Sequence, residues 1–138
     1  MTLNTKSKES RKVANLLKQS GDLNTSANRY YYSCFQKLMY FAETELKYER
    51  PDRDIHASLI NYIEERVNLL MKDESVRMQA MKVRTIKKSY RQIKKYRAKA
   101  DYKYEDVTDQ DMDIINREVA NFDKCYSNLT MLMKEKKI

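Results

Sequence analysis

Glycine and proline are nearly absent from this chain, and their scarcity restricts the folds it can adopt. Gly21 is the only glycine and Pro51 the only proline among 138 residues. Sheet proteins need such residues for their many tight turns, whereas the helix-favouring residues Leu, Met, Lys, Glu and Ala are plentiful here. The composition therefore predicts an all-α fold, and the length suits a single helical domain over residues 1–138 with a substantial core.

Three amphipathic helices are predicted in the first half of the chain, because apolar residues recur there at steps of three and four. The first covers residues 5–19 and faces inward with Val13, Leu16 and Leu17. The second covers residues 26–48 after an N-cap within 24–26, and its stripe is Ala27, Tyr31, Cys34, Leu38 and Phe41. The third follows Pro51, and its stripe is Ile55, Leu59, Tyr62 or Ile63, Val67 and Leu70.

Two further stripes predict a fourth and a fifth helix. The fourth consists of Val76, Ala80, Val83, Ile86, Tyr90, Ile93, Arg97 and Ala100. The fifth consists of Met112, Ile115, Val119, Phe122, Tyr126, Leu129 and Met133, and Thr108 with Asp111 resembles a capping box before it. Short links between long amphipathic helices are typical of antiparallel neighbours, so we expect an antiparallel bundle.

The charge balance favours an anionic partner without identifying one. The chain carries 28 Lys and Arg against 20 Asp and Glu, a net charge of +8. A basic surplus is typical of proteins that bind RNA, DNA or nucleotides, although it also occurs in proteins that bind nothing anionic. The sequence has no long apolar run and no signal-peptide pattern, so a cytoplasmic protein without a membrane span is expected.

The cysteines and the single histidine form no recognisable metal-binding or catalytic pattern. Cys34 and Cys125 fall on apolar stripes, which predicts buried free thiols. Their spacing from His56 matches no zinc motif. His56 stands beside Asp52 and Asp54 at the start of the third helix, which predicts a solvated histidine. Neither a metal nor a cofactor is expected.

Arg97 lies on the apolar stripe of the fourth helix, where a charge is costly to bury. The other basic residues of this helix lie mostly off the stripe, so Arg97 differs from them by its position. A guanidinium there must meet a carboxylate or an anionic ligand, and Asp101 is the nearest candidate partner. Two interpretations stay open: a salt bridge between helices, or a cation that binds an anion beside the tyrosines of the polar link 101–106.

Three consecutive tyrosines on the second helix form another unusual run. Tyr31 belongs to the apolar stripe, but Tyr30 and Tyr32 must point elsewhere, because neighbouring positions on a helix do not share a face. They are expected to pack on another helix, a partner chain or a ligand. Asn28 and Arg29 lie at the same end of this helix, so a ligand-binding surface and a wide aromatic core face are equally compatible with the sequence.

These two runs resemble the motifs of one protein family. Residues 27–35, ANRYYYSCF, are similar to the A-x-R-x-Y-Y-x-x-F helix of HEPN domains, the higher eukaryotes and prokaryotes nucleotide-binding domains. Residues 97–102, RAKADY, are similar to the R-x-x-A-D-Y segment of one branch of that family. The resemblance covers most of the chain and implies a bundle of four or five helices that is usually dimeric. Family members include RNA-cleaving toxins, phage-defence effectors and non-catalytic partners of nucleotidyltransferases.

The chain departs from the family's ribonuclease pattern at one position. Ribonuclease members carry an Arg, four to six residues and then a His; the Arg stabilises phosphate charge, and the His acts in proton transfer or substrate positioning. Here Tyr102 stands where the His would be, and Tyr104 matches a distal Tyr of some toxins. A tyrosine, with a pKa of about 10, is a poor general base at neutral pH. Arg97, Tyr102 and Tyr104 therefore form an incomplete catalytic set.

The resemblance and the basic charge together predict a HEPN-like domain of a prokaryotic toxin–antitoxin or phage-defence system. It is expected to be a homodimer that binds RNA or a nucleotide without cleaving it, with a nucleotidyltransferase-type or other defence protein as its partner class. The expected ligand-binding residues are Asn28, Arg29, Arg97 and Asp101. One alternative is an active metal-independent ribonuclease that uses Arg97 with Tyr102, Tyr104 or His56. The other is a structural helical adaptor with no nucleic-acid role.

Overall fold

The computed structural model describes residues 2–102 and 105–135, and within these ranges it contains helices and turns but no strand. Five helices are long and one is a single short segment. They are α1 (Leu3–Ser20), α2 (Leu23–Glu45), α3 (Ile55–Met71), α4 (Arg77–Met81), α5 (Ile86–Tyr102) and α6 (Asp109–Glu135). The predicted all-α bundle is confirmed.

Helix α2 lies at the centre of the bundle, because it contacts α1, α3, α5 and α6. Its buried apolar residues occupy more than one side of the helix: Ala27, Tyr30, Tyr31, Cys34, Leu38, Met39, Phe41 and Ala42. Helix α6 packs on α2, α4 and α5 and closes the core from the other side. The tyrosine run at the start of α2 therefore lies inside the molecule and beside α5.

Local capping explains where α1 ends and α2 begins. Gly21 ends α1 in the left-handed region (φ 87°), and its N–H bonds to carbonyls of the last turn. This turn leaves the Asp22 side chain free to cap the next helix, where it accepts a hydrogen bond from Thr25 N at 3.2 Å. Helix α2 consequently begins at Leu23, ahead of its predicted start, and it ends earlier than predicted, at Glu45.

The inner face predicted for α1 is wrong at Val13 and Leu16, whereas Leu17 is half-buried. Val13 and Leu16 are 41% and 55% exposed, and the buried residues of this helix are Ser7, Ser10 and Ala14. Small residues allow α1 to approach α2 closely, and the serines satisfy their hydroxyls across the contact. Ser7 Oγ, for example, donates to the Ser33 carbonyl at 2.7 Å. Apolar periodicity cannot detect a face that is buried through small polar side chains.

The fourth predicted helix is divided into α4 and α5. Val83 N bonds to Ala80 O (3.0 Å) and Ile86 N bonds to Val83 O (3.1 Å), so the chain between the helices winds more tightly than an α-helix. Because these three residues follow one another at steps of three, the tighter winding keeps all of them buried. The predicted stripe therefore stays on the core side although the helix is interrupted.

The last predicted helix is confirmed in α6. Thr108 N donates to Asp111 Oδ2 (3.1 Å) and Asp111 N donates to Thr108 Oγ1 (3.0 Å), which is the predicted capping box. The buried stripe residues are Met112, Ile115, Val119, Phe122 and Leu129, with Tyr126 and Met133 partly buried against them. Cys34 and Cys125 are buried free thiols, as predicted. Burial raises the pKa of Cys34 to about 11, so this thiol stays protonated and unreactive.

Candidate functional site

Arg97 lies near the C-terminal end of α5 with 13% of its side chain exposed. Helix α5 continues through Asp101 and Tyr102, which were predicted for a polar link, so Arg97 and Asp101 lie one turn apart on the same helix. Arg97 Nε is 2.9 Å from Asp101 Oδ2. Arg97 Nη2 donates to the hydroxyls of Tyr32 (3.1 Å) and Tyr102 (3.2 Å). The expected pairing of Arg97 with Asp101 is therefore present.

Three tyrosine rings surround this guanidinium. Arg97 Cζ lies 5.5 Å from the ring centroid of Tyr31, 5.3 Å from that of Tyr32 and 5.2 Å from that of Tyr102, all within cation–π range. The contact with Asp101 is an ion pair without hydrogen-bond geometry, so the buried Arg97 Nε–H has no hydrogen-bond acceptor among the described residues. Such unsatisfied buried donors are rare in proteins, and this one leaves the guanidinium able to gain from a further acceptor.

Helix α2 supplies two more of the predicted site residues. Asn28 Nδ2 donates to Asp101 Oδ2 at 3.0 Å. Arg29 Nε and Nη2 donate to Asn28 Oδ1 at 3.0 and 2.7 Å, and Arg29 Cζ lies 5.2 Å from the Tyr32 ring centroid. The predicted site residues that the structure brings together are Asn28, Arg29, Arg97, Asp101 and Tyr102. Tyr104, the remaining one, lies outside the described residues.

His56 belongs to the same group of side chains, and the prediction of a solvated histidine is wrong. It is half-buried in the first turn of α3, with its ring centroid 4.3 Å from that of Phe35. Its Nδ1 shares a hydrogen bond with the Tyr31 hydroxyl. The buried residues Ile60 and Ile63 follow His56 at helical spacing. That spacing marks His56 as a core-side residue and is the sequence feature that the acidic neighbours obscured.

The surroundings of His56 favour its neutral form. Burial lowers the pKa of His56 below its usual value, and the positive charges of Lys94 and Arg97 lower it further. Burial also raises the pKa of Tyr31 and of Tyr90, whose hydroxyls lie 2.8 Å apart, so both phenols stay protonated. A neutral hydrogen-bonded chain of two phenols and one imidazole therefore lies beside the guanidinium.

We call this group of eight side chains the Arg97 cluster: Asn28, Arg29, Tyr31, Tyr32, His56, Arg97, Asp101 and Tyr102. It holds a permanent cation among aromatic rings, which suits an anion that carries a flat group. It also holds an imidazole that is uncharged at neutral pH, which is the form that can act as a proton acceptor. The sequence predicted that Tyr32 would pack away from the apolar stripe, and the structure identifies Arg97 as its partner.

Neither a metal site nor a membrane segment is found in the described chain. Within residues 2–102 and 105–135, no three His, Cys, Asp or Glu side chains are grouped so that they could hold a metal ion. None of the helices described here combines the length and apolar character needed to cross a membrane.

Comparison with known proteins does not establish a family. No family model matches the chain, and no curated protein or solved structure is significantly similar to it. The HEPN resemblance therefore rests on the two motifs alone, and any function must be inferred from the chemistry of the Arg97 cluster.

Proposed function

We propose that this protein is a non-cleaving HEPN-like domain that binds RNA or a nucleotide through a phosphate at the Arg97 cluster. The observation that carries this proposal is the buried Arg97 Nε–H, which has no hydrogen-bond acceptor among the described residues and faces a single carboxylate, Asp101, at 2.9 Å. Phosphate oxygens accept paired hydrogen bonds from a guanidinium. A phosphate can therefore satisfy the donor that Asp101 leaves unsatisfied.

The tyrosines favour a nucleotide over a bare inorganic anion. Tyr102 is 70% exposed although its hydroxyl contacts Arg97, so one ring face is open to a ligand. Tyr32 is half-buried, and its ring centroid lies 5.3 Å from Arg97 Cζ. Bases stack on exposed tyrosine rings in many proteins that bind single-stranded nucleic acid. A phosphate at Arg97 would bring an attached base within reach of Tyr102.

Asp101 holds Arg97 in position until a ligand arrives. Its Oδ2 both accepts a hydrogen bond from Asn28 and pairs with Arg97, so it joins α2 to α5. A phosphate that displaces the carboxylate from Arg97 leaves Asp101 bonded to Asn28. Ligand entry therefore does not strand a carboxylate without a partner, which would be costly.

The proposal is tested by measuring the binding of a 5′-phosphorylated dinucleotide to Arg97→Ala. We expect a loss of about tenfold or more, because about 1.4 kcal/mol or more of charge-assisted hydrogen bonding disappears. Arg66→Ala is the matched control, since Arg66 also stacks on a tyrosine (5.1 Å from the Tyr62 centroid) and donates to its hydroxyl, but lies on α3. Circular dichroism checks the fold of both variants.

Two outcomes would overturn the proposal. Arg97→Ala could bind the dinucleotide as tightly as the wild type does. Alternatively, Arg97→Ala could unfold while a restabilised version of it still binds. In either case Arg97 is a structural ion-pair residue, and the helical-adaptor interpretation takes precedence.

RNA cleavage is a second candidate function, and the position of His56 favours it. The motif has no histidine at position 102, but α3 brings a neutral imidazole within 5.5 Å of the Tyr31 centroid and 6.2 Å of the Tyr32 centroid. Both rings contact Arg97. An imidazole with a lowered pKa can take the proton of a ribose 2′-hydroxyl, whose oxygen then bonds to the phosphorus. The imidazolium returns the proton to the 5′-oxygen as its bond to phosphorus breaks, while a guanidinium stabilises the charge on the phosphate.

Incubation of labelled RNA with the wild type, Arg97→Ala and His56→Asn distinguishes the two functions. The binding function leaves the RNA intact in all three samples. Cleavage by the wild type that is lost in both variants would instead establish the ribonuclease function. Cleavage that persists in His56→Asn would remove the histidine from the mechanism.

The biological setting of this proposal comes from the family resemblance. On this proposal the protein is a cytoplasmic homodimer in a prokaryotic toxin–antitoxin or phage-defence system, with a nucleotidyltransferase-type or other defence protein as its partner. Tyr30 and Tyr31 are buried within one chain, so they need no second protomer to cover them, and the dimer rests on the family resemblance alone. Co-purification with the product of the neighbouring gene tests the partner.

A further inference from the structure

Helix α5 forms one wall of a basic groove that lies outside the Arg97 cluster. The groove has a volume of about 510 Å³. The charged residues that line it are Arg84, Lys87, Lys88, Arg91, Lys95 and Glu64. Glu64 is the single carboxylate among these lining residues, and it is already paired with Lys87 at 2.9 Å. The groove therefore presents a strong excess of positive charge.

The excess of positive charge on α5 differs from the charge pattern that a solvated helix usually has. A solvated helix face normally alternates acidic and basic residues, which pair at a spacing of three or four. Helix α5 contains lysines and arginines throughout its length, but its only acidic residue is Asp101, which is occupied at the Arg97 cluster. Like charges crowded in this way repel one another and are relieved by a polyanion.

The groove and the Arg97 cluster are connected along α5. One side of α5 carries Lys87 of the groove, then Lys94 and then Arg97, at steps of seven and three residues. From Lys87 to Arg97 the helix advances roughly 15 Å at about 1.5 Å per residue. A length of about 15 Å allows consecutive phosphates of one strand to contact the groove and the Arg97 cluster together.

We propose that the basic groove binds the phosphodiester backbone of a single-stranded nucleic acid, one phosphate of which occupies the Arg97 cluster. This inference rests on the proposed function and identifies its ligand as a polynucleotide rather than a free nucleotide. The same positive charge would attract an acidic protein segment. A nucleic acid is favoured because the exposed Tyr102 ring at the end of the path offers a stacking surface for a base.

The test compares two ligands on one triple variant, Lys88→Ala/Arg91→Ala/Lys95→Ala. All three side chains are exposed, and Lys87 is retained so that Glu64 keeps its partner. The matched control, Lys6→Ala/Lys8→Ala/Lys12→Ala, removes the same charge from exposed positions of α1, which does not contact α5. The ligands are the phosphorylated dinucleotide and single strands of about 12 nucleotides, as RNA and as DNA.

We expect the groove variant to lose at least about tenfold in affinity for the long strands while binding the dinucleotide as the wild type does. The slope of log affinity against log salt should fall by about 2, since each lost phosphate contact on a single strand contributes about 0.7. The α1 control should change neither affinity by more than about twofold. Equal losses for RNA and DNA identify the shared backbone as the ligand, and a loss confined to RNA identifies contacts with the ribose.

Three results would overturn the groove proposal. The first is that the groove variant and the α1 control have the same affinity for the long strands and the same dependence of that affinity on salt. Another is competition by polyglutamate as effective as that by the single strands, which would indicate an acidic protein partner. The third is equal loss of dinucleotide and long-strand binding in the groove variant. If Arg97→Ala loses dinucleotide binding in the same series, the Arg97 cluster retains its function although the groove does not.

Discussion

At the scale of single residues, the environment of His56 links folding to pH. In the unfolded chain a histidine titrates near its ordinary pKa of about 6.5, whereas burial and two neighbouring cations lower the pKa of His56 in the folded protein. Between these two pKa values the unfolded state binds a proton that the folded state does not. Stability should therefore fall as the pH drops through about 6.5 toward the folded pKa.

Urea unfolding at about pH 7.5 and about pH 5.5 measures this loss. We expect His56→Phe to lose less stability over this interval than the wild type, because phenylalanine stacks on Phe35 but does not titrate. His56 is the only histidine in the chain, so its proton resonance can be followed directly by NMR. A folded-state midpoint at or above about 6.5 would contradict the prediction. Lys94→Ala should raise the midpoint, and Lys12→Ala should leave it unchanged.

Asp101 competes with any anion for Arg97, so its neutralisation should strengthen ligand binding. Asp101→Asn keeps an acceptor for Asn28 but removes the negative charge 2.9 Å from Arg97 Nε. We expect the affinity for the phosphorylated dinucleotide to rise by up to about fivefold, as for an ion pair worth up to about 1 kcal/mol. Asp113→Asn, at an exposed position of α6, is the control. Weaker binding by Asp101→Asn would show that the carboxylate contacts the ligand favourably.

At the scale of helices, the side chain of Arg11 connects α1 to α6 through hydrogen bonds. Its Nη1 and Nη2 donate to both oxygens of Asp123, at 2.6 and 3.1 Å, and its Nε donates to Ser33 Oγ of α2 at 2.9 Å. We expect Arg11→Ala to lower the free energy of unfolding by about 2 kcal/mol, less than for a fully buried pair because Asp123 is partly exposed. Denaturant unfolding measures this change.

Arg50 provides the comparison for Arg11, because it also forms a paired contact with one carboxylate, Glu43, at 2.7 and 2.9 Å. That pair is more exposed at its arginine and joins residues close in sequence, so Arg50→Ala should cost less than about 1 kcal/mol. Equal costs for the two variants would show that burial and the joining of distant helices add nothing to the Arg11 contact.

The helices differ in how far the sequence could predict them. In α6 the buried face is apolar and the capping box is local, so periodicity and spacing identified both. In α1 the buried face consists of serine and alanine, and the apolar Val13 and Leu16 are exposed, so the same rule assigned two exposed residues to the core. The break between α4 and α5 escaped prediction because a spacing of three fits either an α-helix or a tighter turn.

The residues of the Arg97 cluster also differ in how far the sequence could predict their contacts. Arg97 and Asp101 lie one turn apart on one helix, so their pairing could be predicted from the sequence. The spacing of His56 from Ile60 and Ile63 indicates the core side of α3, but its contacts with Tyr31 and Phe35 depend on how α3 packs against α2. The joining of Asn28 to Asp101 likewise depends on the approach of α2 to α5. The two sequence runs that contain Asn28 and Asp101 were singled out separately, and neither run predicts the distance between the helices.

At the scale of the whole molecule, the remaining prediction is the assembly. The family resemblance implies a homodimer, so light scattering should give twice the chain mass of 16.6 kDa. The measurement should be repeated across a dilution series in the micromolar range, with high salt added to remove association through the basic surface alone. A mass of one chain throughout would contradict the dimer but would not affect the Arg97 cluster, whose contacts all lie within one chain.

The three consecutive tyrosines also determine which way the central helix faces. Their side chains project from α2 in directions about 100° apart, and their hydroxyls bond to residues of three different helices. Tyr30 bonds to α1, Tyr31 to both α3 and α5, and Tyr32 to α5. Rotating α2 by the angle of one residue would break all of these bonds at once.

A bundle held only by leucine stripes would tolerate such a rotation at little cost, and would populate several near-equivalent packings. Here the three tyrosine hydroxyls bond to neighbours in different directions around α2, and together these bonds allow a single orientation of that helix. Two of these three tyrosines, Tyr31 and Tyr32, also surround the Arg97 guanidinium, so the site shares its side chains with the contacts that give the bundle one native arrangement.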